Sequence, residues 1–210
     1  MSKPPPNPST TVLRTVRWLA VGAIVGLGAA WGVKFWSDSG TPPHAVATAA
    51  IGGPFELVDQ NGRTRTEADL AGRFALIYFG FTYCPDACPT ALIAISEALD
   101  RIGPAAAARI QPVFVSVDPE RDTVAQMSAY VTAIDERLMG LTGTPEQVAR
   151  AARAYRVFYR KATPQGSAEY LVDHTSLIYL MGPDGKYVAH FSHETPVERI
   201  EEALRRAVGG

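Results

Sequence analysis

Eight uncharged residues, Phe74-Ala-Leu-Ile-Tyr-Phe-Gly-Phe81, lead almost directly into Cys84-Pro-Asp-Ala-Cys88-Pro89. The apolar run, with β-favouring Ile77, Tyr78 and Phe79, marks a strand buried on both faces, and Gly80 ends its regularity. Beyond Pro89, the apolar positions Leu92, Ile95, Ala98, Leu99 and Ile102 recur at helical spacing until Gly103-Pro104 stops them. A buried strand, a short loop and an amphipathic helix constrain the chain to an α/β fold. The loop falls where such folds usually carry their sites. Pro89 suits the first turn of a helix and disfavours α geometry at Cys88 before it. Cys84 is therefore expected just past the strand, and Cys88 at the helix entrance. Unpaired N–H groups and the helix dipole at that entrance favour thiolate at Cys88.

These are the only 2 cysteines of the chain. Two thiolates this close can clamp a soft metal such as Cu(I), or cycle between dithiol and disulfide. A purely structural disulfide would close a very short loop and remove little unfolded-state entropy. A structural zinc site normally wants four closed ligands, and two sulfurs do not supply them.

The N-terminus points to a membrane. Trp18 to Val33 carries no charge, and Lys34, Phe35 and Trp36 extend the segment. At about 1.5 Å per residue, 18–36 covers roughly the 30 Å of a bilayer core. Trp18, Trp31 and Trp36 lie near its ends, as interfacial aromatics do, and Lys34 can snorkel. Arg14 and Arg17 precede it with no acid before them, which keeps the tail 1–17 cytoplasmic. Ala45-Val46-Ala47 and Ala47-Thr48-Ala49 resemble signal-peptidase sites but lie far beyond the apolar run, so a retained anchor is the reading adopted. The remainder then lies outside the cytoplasm, in an inner-membrane protein facing a periplasm or intermembrane space. Residues 1–36 hold Lys3, Arg14, Arg17 and Lys34 and no acid, so of 20 basic and 21 acidic residues, 16 and 21 remain, a balance of −5. No basic stripe for nucleic acid follows from that. In an oxidising compartment two cysteines drift to disulfide unless a metal or a reductant holds them.

Residues 37–50 read as a linker, with His44 solvated in it, and 51–210 as one domain. Phe55–Val58 and the segment after Asn61-Gly62 form a small hairpin. Strand 75–79 and helix 89–102 follow, then a buried strand over 110–117. Asp122 or Thr123 caps a helix reaching about Ala133, 138–141 is a short strand, and Thr144 caps a helix from Pro145. Residues 157–162 look extended. Leu177–Met181 and Tyr187–Phe191 pair across Pro183-Asp-Gly185, and Pro196 opens a last helix through Ala207. Parallel units followed by a hairpin and helix predict a thioredoxin-like sheet flanked by helices.

Gly80-Phe-Thr-Tyr-Cys84-Pro-Asp-Ala-Cys88-Pro89, Val117-Asp-Pro-Glu-Arg-Asp-Thr123 and Val172-Asp-His174-Thr175 together resemble the Sco/SenC family. The resemblance extends from the anchor through the whole domain. It implies a membrane-tethered, thioredoxin-like copper metallochaperone that serves assembly of the copper centre of cytochrome c oxidase. It also implies Cys84, Cys88 and His174 as ligands of one copper per chain, Cu(I) or Cu(II). Two thiolates and an imidazole suit either oxidation state and leave an open side for release. The implied partner is the oxidase subunit carrying the copper centre, or another copper chaperone.

Around that set, Asp118 ends the second buried strand; its carboxylate either reaches the cysteines or simply starts an Asp-Pro turn. Asp86 is a hard donor ill suited to Cu(I) and is expected to be solvated. His190 and His193 are candidates for a weak second copper site. Met127, Met139 and Met181 are too scattered for a methionine box. The competing function is a thiol–disulfide oxidoreductase using Cys84 and Cys88 as a redox pair, in client reduction or redox signalling. Against it stand the C-x-x-x-C spacing and the absence of a proline just before the strand at 177, where His174 stands instead. A peroxidase of peroxiredoxin or glutathione peroxidase type ranks last, because Thr82 and Cys84 miss the T-x-x-C spacing.

Overall fold

The computed structural model describes Gly28, residues 51–163 and residues 170–209. The expected anchor 18–36, apart from Gly28, and the linker 37–50 lie outside the described residues. Among those residues no helix is long and apolar enough to cross a membrane.

Strands β1 (Glu56–Asp59) and β2 (Thr64–Thr66) form the N-terminal hairpin. Buried Asp59 holds its turn, accepting the N–H groups of Asn61 and Arg63 at 2.8 and 2.9 Å, while Gly62 takes φ +77°. That positive φ is open to glycine at no steric cost, which is why Asn-Gly is a turn signal. Strand β3 (Phe74–Gly80) runs into helix α1 (Ala87–Ile102), and a short helix α2 (Pro104–Ala107) leads to β4 (Ile110–Ser116). Helix α3 (Val124–Ile134) is capped by the Thr123 side chain and precedes β5 (Met139–Thr142). Helix α4 (Pro145–Ala154) starts with a capping box between Thr144 and Gln147. Then come β6 (Tyr159–Ala162), β7 (Leu171–His174), β8 (Leu177–Met181), β9 (Tyr187–Ser192) and α5 (Val197–Gly209).

Seven strands make one mixed sheet in the order β2-β1-β5-β4-β3-β8-β9. β3 and β4 are parallel from Phe74↔Ile110 to Gly80↔Ser116, a pairing that needs a crossover, and α1 provides it. β3 is central and its interior is dry: Leu76, Ile77, Tyr78 and Phe79 are all fully buried. Helix α1 buries Leu92, Ile95, Ala98 and Leu99, the residues its periodicity marked. At roughly 2 kcal/mol for each large aliphatic side chain, that face is what seats the helix on the sheet.

One local expectation needs correction. Helix α1 begins at Ala87, so Cys88 is inside its first turn despite the bias imposed by Pro89. The missing Pro89 N–H costs nothing there, because first-turn amides have no intrahelical partner, and burial of Cys88 favours the helical conformation. Leu171–His174, to which no element was assigned from the sequence, is a strand. It pairs with β6 in a separate two-stranded sheet, with His174 opposite Tyr159.

Candidate metal centre

The loop between β3 and α1 turns back on itself: Cys84 N–H donates to the Phe81 carbonyl at 3.2 Å. Cys84 is left half-buried, while Cys88 in the first helical turn is fully buried. Gly80 makes room for that packing. A Cβ on it would lie 2.6 Å from Cys88 Sγ and 2.9 Å from the Phe114 ring. His174, the last residue of β7, brings its Nε2 to 3.6 Å from Cys88 Sγ. The two sulfurs and one ring nitrogen of Cys84, Cys88 and His174 all lie within 4.8 Å of one another. Among the described residues this is the one cluster of three or more such side chains able to hold a metal ion.

The imidazole is oriented by its surroundings. Nδ1 sits 3.3 Å from the Thr175 carbonyl, to which only a protonated ring nitrogen can bond. In the neutral ring the lone pair is then on Nε2, facing the sulfurs. Tyr78 and Phe81 meet the ring edge-on, with centroids 6.0 and 5.9 Å away.

The surroundings favour the thiolate on Cys84 over Cys88, the reverse of the expectation from the helix entrance. The hydrogen bond from the Cys88 thiol pulls Cys84 down to about 4 against the effect of partial burial, and the backbone amides of Asp86 and Cys88 add to it. The Cys88 N–H, 3.3 Å from Cys84 Sγ, is one of these amide donors. Cys88 is pushed upward by its bond to Cys84, by burial and by the charge on Cys84. The helix amides do stabilise a thiolate, but the one that precedes the helix.

Asp118 does not reach the cysteines. It is fully buried, receives Arg121 Nε at 2.5 Å and the Tyr170 hydroxyl at 2.8 Å, and accepts nothing from the site. The carboxylate beneath the cysteine loop is Asp122, which sequence reasoning weighed only as a helix cap. It accepts Thr82 N–H at 3.2 Å, Thr82 Oγ1 at 2.7 Å and Ser116 Oγ at 2.6 Å, all in the interior. Desolvation raises its pKa, and these three donors oppose the rise. Its place in the Val117–Thr123 motif was the one available signal. Asp86 is exposed, as expected, and accepts from Thr90 Oγ1. His190 Nδ1 lies 2.5 Å from the Tyr187 hydroxyl and His193 Nε2 4.0 Å from Glu194, so the two histidines engage different partners. Met127 and Met181 are core residues, and Met139 packs against the core.

Comparison with known proteins follows this geometry. The SCO1/SenC family model matches residues 44–209. The SCO1 homolog 1, mitochondrial, of Arabidopsis thaliana is 43% identical over 160 residues, covering 76% of this chain and 48% of that protein. The SCO2 homolog, mitochondrial, of Bos taurus is 41% identical over 196 residues, covering 90% and 74%. This chain thus spans about half of the plant relative's length and about three quarters of the bovine one. Among solved structures, Arabidopsis thaliana ScoI with copper bound superposes with a TM-score of 0.72 at 42% identity, over 76% of this chain and 99% of that one. Bradyrhizobium japonicum ScoI with copper bound gives 0.69 at 46%, over 75% and 99%. The thioredoxin-like α/β expectation holds for the described domain.

Proposed function

We propose that this chain, which belongs to the SCO1/SenC family, is a membrane-anchored copper metallochaperone that supports assembly of the copper centre of cytochrome c oxidase. Copper is its cargo, held by Cys84, Cys88 and His174. The observation that carries the reading is the convergence of two sulfurs and one imidazole nitrogen within 4.8 Å. Two relatives at 42% and 46% identity were solved with copper bound, which supports it. The donor set fits: soft thiolates with one imidazole suit copper, and three ligands leave a side from which the metal can depart.

The residues divide the work. Half-exposed Cys84 offers a ready thiolate and makes first contact. Cys88 gives up its proton as it joins, so loading releases a proton. The Thr175 carbonyl holds His174 with Nε2 toward the sulfurs. Residues 18–36 anchor the chain, with the domain facing the periplasm or intermembrane space. The partner is the oxidase subunit carrying the copper centre, or another copper chaperone.

A second reading rests on the thiolate poise of Cys84. Cys84 attacks a client disulfide to form a mixed disulfide, then Cys88 displaces the client sulfur. The client leaves as dithiol and this chain as the Cys84–Cys88 disulfide, two electrons having moved. Metal analysis of the reduced full chain in detergent tests the first reading. About one tightly held copper per chain is expected, lost in Cys84→Ala and in Cys88→Ala while both stay folded. Tight stoichiometric binding retained in either variant excludes the cysteines as the principal site.

A further inference from the structure

The Val117–Thr123 segment between β4 and α3 touches both halves of the site. Arg121 donates Nε to buried Asp118 at 2.5 Å and Nη1 to the Tyr170 carbonyl at 3.0 Å. The Tyr170 hydroxyl closes the triangle on Asp118 at 2.8 Å. The guanidinium carbon lies 3.7 Å from the Tyr170 ring centroid and 4.8 Å from that of Tyr83, close enough for cation–π attraction to both. Tyr83 is the residue before Cys84. Tyr170 is the residue before β7, the strand that ends in His174. One side chain is therefore bracketed by the immediate neighbours of two ligand-bearing segments remote in sequence.

The two halves of the site are not held alike. Cys84 and Cys88 share one loop and helix entrance, clamped from below by Asp122. His174 sits on β7, which among the described residues pairs only with β6. A lone two-stranded ribbon is marginal by itself. Its C-terminal end passes through Thr175-Ser176 into β8 of the main sheet, held there by Thr175 N–H on the Phe158 carbonyl at 2.9 Å and His193 N–H on the Ser176 carbonyl at 3.2 Å. Its other end is where Arg121 grips. Lys161 of β6 adds a weaker tie, 4.7 Å from the Tyr170 ring and paired with Glu120 at 2.6 Å.

We propose that Arg121, with Asp118 and Tyr170, is a positioning residue that clamps the His174 strand against the cysteine loop, so that the imidazole stands at the sulfurs before any metal arrives. This rests on the reading of Cys84, Cys88 and His174 as a copper site. Arg121 touches none of the three ligands. Its loss therefore frees the Tyr170 end of β7 and weakens the hold on the histidine, although Val172 stays in the core and Tyr78 and Phe81 still meet the imidazole. The dithiol is left intact, separating imidazole-dependent Cu(II) binding from thiol chemistry.

The test uses the full chain in detergent with Arg121→Met, which keeps the apolar stem and removes the guanidinium. In the metal-free protein, amide hydrogen exchange at Val172–His174 should quicken about tenfold or more, with β3 unchanged. Cu(II) affinity should fall by about tenfold to a hundredfold, and nitrogen coupling in the Cu(II) electron paramagnetic resonance spectrum should be lost. Reduction of the Cys84–Cys88 disulfide by dithiothreitol should proceed as in the parent. Unchanged exchange in β7 with nitrogen coupling retained overturns the proposal. Should Arg121→Met lose protection in β3 as well, Tyr170→Phe decides, since it removes only the hydroxyl on Asp118: faster exchange confined to β7 supports the clamp, and none refutes it. If the parent itself binds no copper, the metallochaperone reading falls and the exchange result alone judges the clamp.

Discussion

The backbone N–H of Cys88 points at the sulfur of Cys84, 3.3 Å away. A first-turn amide with no intrahelical partner thus serves a side chain four residues earlier, and the chain places its negative charge on the more exposed sulfur. The consequence is a pair with unlike roles. Cys84 is the accessible sulfur whose surroundings favour thiolate, while Cys88 is enclosed and favoured as thiol.

That asymmetry predicts alkylation behaviour. In the reduced, metal-free chain, iodoacetamide should modify Cys84 first, at a rate that rises through about pH 4 and then stays flat to about pH 8. An ordinary thiol would keep gaining rate up to about pH 8.5, because only the thiolate reacts. Peptide mapping that finds Cys88 labelled first, or a rate still climbing above neutrality, contradicts the assignment.

His174→Ala should separate metal from thiol chemistry. Copper affinity should drop by about a hundredfold or more, most for Cu(II), which prefers imidazole to a vacancy. The dithiol should still oxidise and reduce, because exchange needs only the two sulfurs. Expressed in place of the parent, the variant should fail to mature the copper oxidase. Normal maturation despite lost copper affinity would favour the reductase reading.

Gly80→Ala should disturb Cys88 directly, since the new methyl would lie 2.6 Å from its sulfur and 2.9 Å from Phe114. Overpacking of this kind costs about 1–3 kcal/mol, readable by urea unfolding, and copper affinity should fall with it. A variant equal to the parent in both would mean the sulfur shifts freely and its enclosure is not required.

Asp122→Ala should leave the Thr82 N–H, the Thr82 hydroxyl and the Ser116 hydroxyl without their buried acceptor. A loss of about 2–4 kcal/mol is expected, with Asp122→Asn milder because it keeps one acceptor oxygen. Copper release should also quicken, as Thr82 lies two residues before Cys84. Unfolding midpoints of both variants within error of the parent would argue that other contacts hold the loop.

The full chain should stay with membranes through carbonate extraction, whereas a chain beginning at Ala45 should be soluble. A mature N-terminus at residues 46–51 in the native host would replace the anchor with a cleaved signal.

Much of this architecture was legible in the sequence because it is written in local terms. Strand β3 is an unbroken apolar run, α1 repeats its apolar residues at helical spacing, and Asn61-Gly62 and Pro183-Asp-Gly185 mark turns. Leu171–His174 was not legible: two apolar residues followed by two polar ones carry no strand period, and they become a strand because β6 lies beside them.

The sequence by itself determined the α/β order and offered Cys84 and Cys88 as soft donors, since ligand softness and periodicity are properties of residues and their spacing. His174 was joined to them only through the family resemblance. The position of the charge, the neighbours and the alignment were decided by the tertiary structure. Which cysteine is favoured as thiolate depends on the hydrogen bond between the two sulfurs, on which sulfur is more buried and on where the loop amides point. Which aspartate holds the loop depends on which lies beneath it, Asp122 and not Asp118. How His174 meets sulfurs 86 and 90 residues away depends on β7 being brought alongside. Hydrogen bonding and burial act over a few ångströms of space, and spacing along the chain does not encode them.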